Sequence, residues 1–274
     1  MEYTVRRDSG NRIIWEQSQI EYIKKEYNSG NSCTAIAKQF NVGRDSIGRL
    51  LKKEGIHVKS PKEYYQNLFP KNENYFNKID TPEKAYWLGF LYADGCITCG
   101  NITISLQEND YEQLKQFQQD IEAINNKITK TQKDNKFGWQ FTIRSSQMIK
   151  DLKKLGCIER KSLILTFPTE EQVPKKYIYD FIRGYFDGDG TLSFDRRRKT
   201  PQARFGFAGT KEFLLSIQNE LEINLTLQSR GNAYAFVVSG NKQAKKFFDK
   251  IYNNPTRYLK RKYELYQSFL SYCA

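Results

Sequence analysis

Two segments of the chain repeat one another in residue type and spacing: WLGFLYADG at residues 87–95 and IRGYFDGDG at residues 182–190. In each, a glycine precedes a small residue by four positions, Gly89 before Ala93 and Gly184 before Gly188. That spacing places the pair one turn apart on a single helix face, where two backbones can approach closely. An acid closes each segment, Asp94 and Asp189, and Gly95 or Gly190 is expected to reverse the chain behind it. If the two helices pack on these faces, both carboxylates emerge at one end. They then repel each other unless a cation lies between them, and a hard divalent metal with oxygen ligands is the natural resolution. A helix ending in Asp-Gly is common. Two copies 95 residues apart, each followed by the same order of elements, indicate a shared functional site.

The elements that must position these acids read as two units of the same order, αββαββα. The first is a helix over 83–94, strands over 96–99 and 101–107, a helix over 111–124, strands over 128–133 and 138–144, and a helix over 147–155. The second is a helix over 175–188, strands over 190–195 and 202–208, a helix over 211–222, strands over 225–230 and 233–239, and helices over 241–252 and 257–270. Apolar alternation in 101–107 and 139–144 supports half-buried strands. A connector from Thr166 to Pro174 joins the units, which span 83–165 and 166–274.

Ahead of them, residues 1–60 read as a small all-helical module. Ile20, Ile23 and Tyr27 recur at helical spacing, a short helix runs from Thr34 to Phe40, Asn41-Val42-Gly43 forms a tight turn, and a further helix runs from Arg44 to Glu54. Ala37 is small where the helices cross, Val42 fills the turn, and Ile47 and Leu51 close a mini-core. This layout is that of a helix-turn-helix, with a small trihelical packing module that does not touch DNA as the alternative; the segment resembles the helix-turn-helix of resolvase/invertase-type recombinases, which implies a DNA-binding domain. Its outer face would carry Arg44, Asp45, Ser46, Arg49, Lys52 and Lys53. Residues 61–82 read as a linker, though Tyr64, Tyr65, Phe69, Tyr75 and Phe76 make it too apolar for a free tether.

Composition narrows the partner. The 274 residues carry 44 Lys and Arg against 31 Asp and Glu, a net charge of +13, with 18 Tyr and 18 Phe. A basic, aromatic-rich chain fits a nucleic-acid partner. Eight basic residues crowd 241–274, and Arg196, Arg197, Arg198 and Lys199 form a separate run. No window reaches the roughly 18 apolar residues of a membrane span, and the N-terminus has no apolar leader, so a cytoplasmic, nucleoid-associated protein is expected. Cys33, Cys96, Cys99, Cys157 and Cys273 are scattered, and His57 is the single histidine, so a tetrahedral zinc site is not supported.

The two motifs, the element order and the domain length together resemble the LAGLIDADG homing endonuclease family in its single-chain, two-motif form, over residues 83–270. The first motif departs at its start and has Tyr92 where an acid often stands. The resemblance implies an α+β, pseudo-two-fold pair of αββαββα units whose sheets form a saddle over double-stranded DNA, in a monomer. It implies that Asp94 and Asp189, with backbone carbonyls near Ala93 and Gly188, hold Mg²⁺ or another divalent cation such as Mn²⁺. The implied reaction is metal-dependent hydrolysis of one phosphodiester in each strand.

Such sites often add a basic residue from each half. Arg160-Lys161 and Arg261-Lys262 recur in register, which makes Lys161 and Lys262 the catalytic candidates. Gln107 ends its strand where the family often places a solvent-ordering residue, whereas Gly209 in the second half offers no side chain. Strand residues facing the saddle would read bases in the major groove. The candidates are Thr103, Ser105, Lys130, Gln132, Gln140, Thr142, Arg144, Gln202, Arg204, Gln228 and Arg230, with the run from Arg196 to Lys199 touching phosphates from a β-turn. A DNA-binding regulator that has lost cleavage and an RNA maturase for intron splicing are the competing readings. Retention of both Asp94 and Asp189 argues against the first.

Overall fold

Capping and turn residues divide the chain into its elements. The computed structural model describes residues 3–60, 63, 68–98, 100–134, 136–159, 161, 164–195 and 201–273. The chain forms two compact units, one ending at Leu68 and the other beginning at Phe69.

The first unit opens with a hairpin that the sequence reading lacked, β1 (Arg6–Arg7) paired antiparallel with β2 (Ile13–Ile14). Asp8 shapes its turn, its Oδ1 accepting from Gly10 N at 2.9 Å and Arg12 N at 2.8 Å. Three helices follow, α1 (Gln17–Asn28), α2 (Cys33–Gln39) and α3 (Arg44–Lys53). Ser32 caps α2 by accepting from Ala35 N, and Gly43 is the N-cap of α3. Ile23, Ile36, Ala37, Phe40, Ile47, Leu50 and Leu51 are buried together. Tyr3 stacks on Phe40, ring centroids 4.5 Å apart, and Trp15 meets the same ring edge-on, so the hairpin is held to the helices by aromatic contact.

Part of the stretch read as a linker belongs to the second unit. Tyr75, Phe76 and Ile79 are buried in that unit's core, and Asn72 N donates to Ile121 O at 2.8 Å. Tyr64 and Tyr65 lie outside the described residues.

The second unit begins with α4 (Pro82–Asp94), for which Thr81 is the N-cap and Pro82 the first helical residue. Its first half continues through β3 (Gly95–Thr98), β4 (Asn101–Gln107), α5 (Tyr111–Asp120), β5 (Ile128–Lys133), β6 (Lys136–Arg144) and α6 (Ser146–Lys154). The second half runs α7 (Ile178–Asp189), β7 (Thr191–Asp195), β8 (Gln202–Gly209), α8 (Lys211–Leu221), β9 (Gln228–Arg230), β10 (Ala233–Ser239) and α9 (Asn241–Ile251), followed by α10 (Lys260–Cys273). The expected αββαββα order is present twice.

Each half builds one four-stranded antiparallel sheet, ordered β3-β4-β6-β5 in the first and β7-β8-β10-β9 in the second. One continuous core joins both halves, with Trp87, Phe90, Phe117, Phe141, Phe181, Phe186 and Phe207 fully or almost fully buried. Among the described residues, no helix is long and apolar enough to cross a membrane.

Candidate active site at the helix pair and the sheet faces

The glycines of the two motifs meet. A Cβ on Gly89 would fall on the carbonyl oxygen of Phe181 and within 2.9 Å of Tyr185 N. A Cβ on Gly184 would fall on the carbonyl oxygen of Tyr86 and within 2.8 Å of Phe90 N. The contacts are reciprocal: each glycine faces the carbonyl three residues before the other glycine and the amide one residue after it. That is a local two-fold relation between α4 and α7. One turn on, Gly188 packs against Ala93, and the Asp94 carboxylate lies over it, with Oδ2 3.2 Å from where a Cβ would be.

Asp94 and Asp189 therefore leave the helix pair together. Asp94 is half-buried and Asp189 exposed. Burial, and next the charge of Asp189, push the Asp94 carboxyl up to about 6, while Lys262, Lys161 and Arg261 oppose the rise. Asp189 is raised too, by partial desolvation at the crowded helix ends although its side chain reaches solvent, against the pull of Lys161 and Lys262. The glycines after the acids end the helices without a left-handed conformation. Gly95 (φ −74°) and Gly190 (φ −73°) are extended, and both are glycine for lack of space. A Cβ on Gly95 would lie 2.5 Å from Leu91 O, and one on Gly190 would lie 2.5 Å from Phe186 O.

Both candidate lysines are buried beside this pair, at matched positions. Lys161 Nζ donates to Gly95 O. Lys262 Nζ donates to Gly190 O at 2.5 Å, to Asp187 O at 2.9 Å and to Phe186 O. Each cation thus sits at the C-terminal end of a motif helix, where the backbone dipole favours positive charge. Burial lowers the Lys262 ammonium to about 8. Arg160 lies outside the described residues.

Asp187, which sequence reasoning missed, organises the second half. It occupies the position that Tyr92 holds in the first motif and is buried. Its carboxylate accepts from Tyr86 OH at 2.9 Å, Tyr252 OH at 3.2 Å and Leu259 N at 2.7 Å. It thereby fixes the turn that delivers Lys262. Two ion pairs tie the same segment to the first half: Arg257 forks onto Asp120 at 2.7 Å, and Arg261 reaches Asp110 at 3.1 Å. Lys245 pairs with Asp249, and Lys246 and Lys250 pair with Glu222. Most of the basic C-terminal run is therefore engaged within the fold.

The sheets sort the remaining candidates by face. On the first, Thr103 opposes Thr142, Ser105 opposes Gln140 and Asn101 opposes Arg144, all on the side away from buried Ile102, Ile104 and Ile143. Lys130 and Gln132 are corrections. They pair with Trp139 and Phe137 and share a face with Ile128, so they point to the helix side. Lys130 lies over the rings of Phe137 (4.4 Å) and Trp139 (5.8 Å) and pairs with Glu108. Thr129, Thr131 and Lys133 take the outer face of β5 instead. On the second sheet, Gln202, Arg204, Gln228 and Arg230 all lie on the outer face.

Gln107 is exposed on the outer face, three residues along β4 from the partner of Gly95. Its register counterpart is Thr210 rather than Gly209. The Thr210 hydroxyl is engaged, capping α8 and donating to Leu165 O. Arg196, Arg197, Arg198 and Lys199 lie outside the described residues. In the N-terminal unit Arg44, Asp45, Arg49, Lys52 and Lys53 are exposed and Ser46 is half-buried. The hairpin adds exposed Arg6, Arg7 and Arg12.

The donor set suits magnesium, which proteins hold through one or two carboxylates together with water and substrate phosphates. Among the described residues no group of three or more His, Cys, Asp or Glu side chains offers a separate cage. A stability measurement reports on the pair without metal. The folded chain holds the Asp94 proton where the unfolded chain has released it, so this carboxylate's destabilising charge is felt above its folded value and relieved below it. In EDTA, Asp94→Asn should therefore raise Tm relative to the native chain at pH about 7.5, and the gap should narrow below pH about 6 and close only near pH about 4, the unfolded carboxylate value. A gap independent of pH would show that Asp94 titrates as it does in the unfolded chain.

Several solved structures are similar in fold. LAGLIDADG meganuclease I-AabMI bound to uncleaved DNA is 14% identical, over 70% of this chain and 89% of that one, with a TM-score of 0.47. Meganuclease I-SmaMI bound to uncleaveable DNA is 12% identical, over 70% and 89%, with a TM-score of 0.49. The I-LtrWI LAGLIDADG homing endonuclease bound to target DNA is 11% identical, over 72% and 90%, with a TM-score of 0.46. I-SmaMI also has a structure with uncleaved DNA in the presence of calcium ions, 11% identical over 70% and 90%, with a TM-score of 0.46. No protein-family model and no curated protein sequence matches the chain.

Proposed function

We propose that the chain is a site-specific DNA endonuclease of the LAGLIDADG type, making a double-strand break at a long asymmetric target by metal-dependent hydrolysis. The observation that carries this reading is the reciprocal Gly89–Gly184 packing, which brings Asp94 and Asp189 out together with a buried lysine behind each. A divalent cation held by these acids would stabilise charge on the scissile phosphates and lower the pKa of an attacking water. The local two-fold relation between the motif helices supports one scissile phosphodiester in each strand, related by the same axis. Lys161 and Lys262 supply the positive charge that favours the carboxylate form of both acids near neutral pH. The outer faces of both sheets take the major groove, and α3 adds phosphate contacts on one flank through Arg44, Arg49, Lys52 and Lys53.

The test is to incubate a randomised duplex library with the full chain and Mg²⁺, and to sequence the cut ends. A shortened chain beginning at Phe69 is run in parallel. Both should cut at the same phosphates. The shortened chain should bind more weakly, show a smaller salt dependence and protect less DNA on one flank, because tethering acts through effective concentration. No ends above an EDTA control would overturn the endonuclease reading. Equal footprints would remove the N-terminal unit from the complex.

A further inference from the structure

The two sheets differ at the four positions in the middle of their outer faces. The ladder Cys96–Thr103–Thr142 of the first sheet corresponds to Thr191–Gly206–Val237 of the second. Thr103 therefore matches Gly206, Thr142 matches Val237, Ser105 matches Ala208 and Gln140 matches Ala235. In the first sheet all four side chains are polar and linked: the Thr103 and Thr142 hydroxyls are 3.0 Å apart, and Gln140 Nε2 donates to Ser105 Oγ at 3.2 Å. In the second sheet none of the four can donate or accept a hydrogen bond through a side chain. Val237 is 37% exposed and lies over Gly206, where a Cβ would be 3.1 Å from Val237 Cγ2. Polar side chains border this centre on the neighbouring strands: the Thr191 hydroxyl, 3.2 Å from where a Gly206 Cβ would be, and Gln228, paired with Ala235, with Arg204 and Arg230 exposed further out.

Resting on the endonuclease reading above, we propose that the second sheet recognises its half of the target through thymine methyl groups, so that the base pairs over exposed Val237 and Ala208 are A·T pairs. The major-groove edge of a G·C pair offers only polar groups, and the thymine C5-methyl is the apolar group an A·T pair adds. A base edge pressed on Val237 and Ala208 loses water hydrogen bonds that these two side chains do not replace, and the methyl returns apolar burial. The arginines at the rim supply positive charge, which favours a polyanion over an apolar protein partner on this face. The first sheet, with four hydrogen-bonding side chains in the same place, reads its half by polar contacts.

Deoxyuridine tests this directly, since it deletes the methyl and keeps the pairing. Affinity of the full chain for its selected target is measured without divalent metal, with dT replaced by dU in one half-site and then in the other. One half should lose about fourfold per methyl removed and the other almost nothing. Val237→Ala, with unfolding unchanged, should abolish part of the sensitivity in that same half. Equal binding of dT and dU targets, or equal losses in both halves, would overturn the proposal and leave the endonuclease reading intact. A chain that neither binds nor cuts any duplex overturns both. Sensitivity that survives Val237→Ala and the corresponding Ala208→Ser places the methyl contacts elsewhere and overturns the assignment to this sheet.

Discussion

Asp94→Asn and Asp189→Asn should each abolish double-strand cleavage while leaving DNA affinity in EDTA within a few-fold of the native chain. Each substitution keeps the shape of the side chain and removes a charged oxygen donor at the end of the helix pair. Neither acid lies on a sheet face, so no groove contact is lost. Changing groups that merely support a metal ligand costs about 10–100-fold, so losing a ligand itself should cost more than about 10²-fold. The DNA must be followed strand by strand. If each acid serves one phosphodiester and the halves act independently, a single variant nicks one strand; if the pair shares its metal, both strands stay intact. Cleavage at the native rate by both variants would show that the acids are structural caps.

The centre of this arrangement was legible in the sequence because its cause is local. Gly89, Ala93, Gly184 and Gly188 are spaced for one helix face, and a residue without a side chain repeated at that spacing has few uses other than close packing. Strand order was legible from alternation in β4 and β6, where Ile102, Ile104, Phe141 and Ile143 mark the inner face. It failed in β5, whose residues ITKTQK are polar at both parities after Ile128, so the face of Lys130 and Gln132 followed only from pairing with Trp139 and Phe137. The N-terminal hairpin escaped because two-residue strands have no period to detect. Asp187 escaped for another reason. An acid beside Asp189 resembles part of the metal site, and only tertiary contact with Tyr86, Tyr252 and Leu259 shows it holding the chain that carries Lys262. The basic run over 241–274 misled in the opposite direction. As a sequence it suggested a free cationic surface, whereas Asp110, Asp120, Glu222 and Asp249 neutralise much of it.

The largest effect on stability should come from adding a single carbon. Gly184→Ala places a methyl on the Tyr86 carbonyl and 2.8 Å from Phe90 N, and Gly89→Ala does the same against Phe181 and Tyr185. The atoms met are backbone, so no rotamer change can relieve the clash, and α4 and α7 must move apart. Tyr86, Phe90, Phe181 and Tyr185, all buried at the contact, would then lose packing on both sides of it. Overpacking against adaptable side chains costs about 1–3 kcal/mol, so a rigid clash should exceed about 3 kcal/mol. The helix-propensity gain of alanine over glycine, at most about 1 kcal/mol, cannot offset it. Against a total stability of roughly 5–15 kcal/mol, either variant should unfold many degrees below the native chain, and the double variant should fail to fold. Gly48 provides the control. It is also in a helix, α3, but nothing lies within 4 Å of a Cβ there, so Gly48→Ala should be neutral or stabilising by up to about 1 kcal/mol. Thermal unfolding of the three single variants, read by circular dichroism, separates the cases by sign. A Gly184→Ala chain as stable as Gly48→Ala would mean that the motif helices do not touch at this face, and the convergence of Asp94 and Asp189 would lose its support.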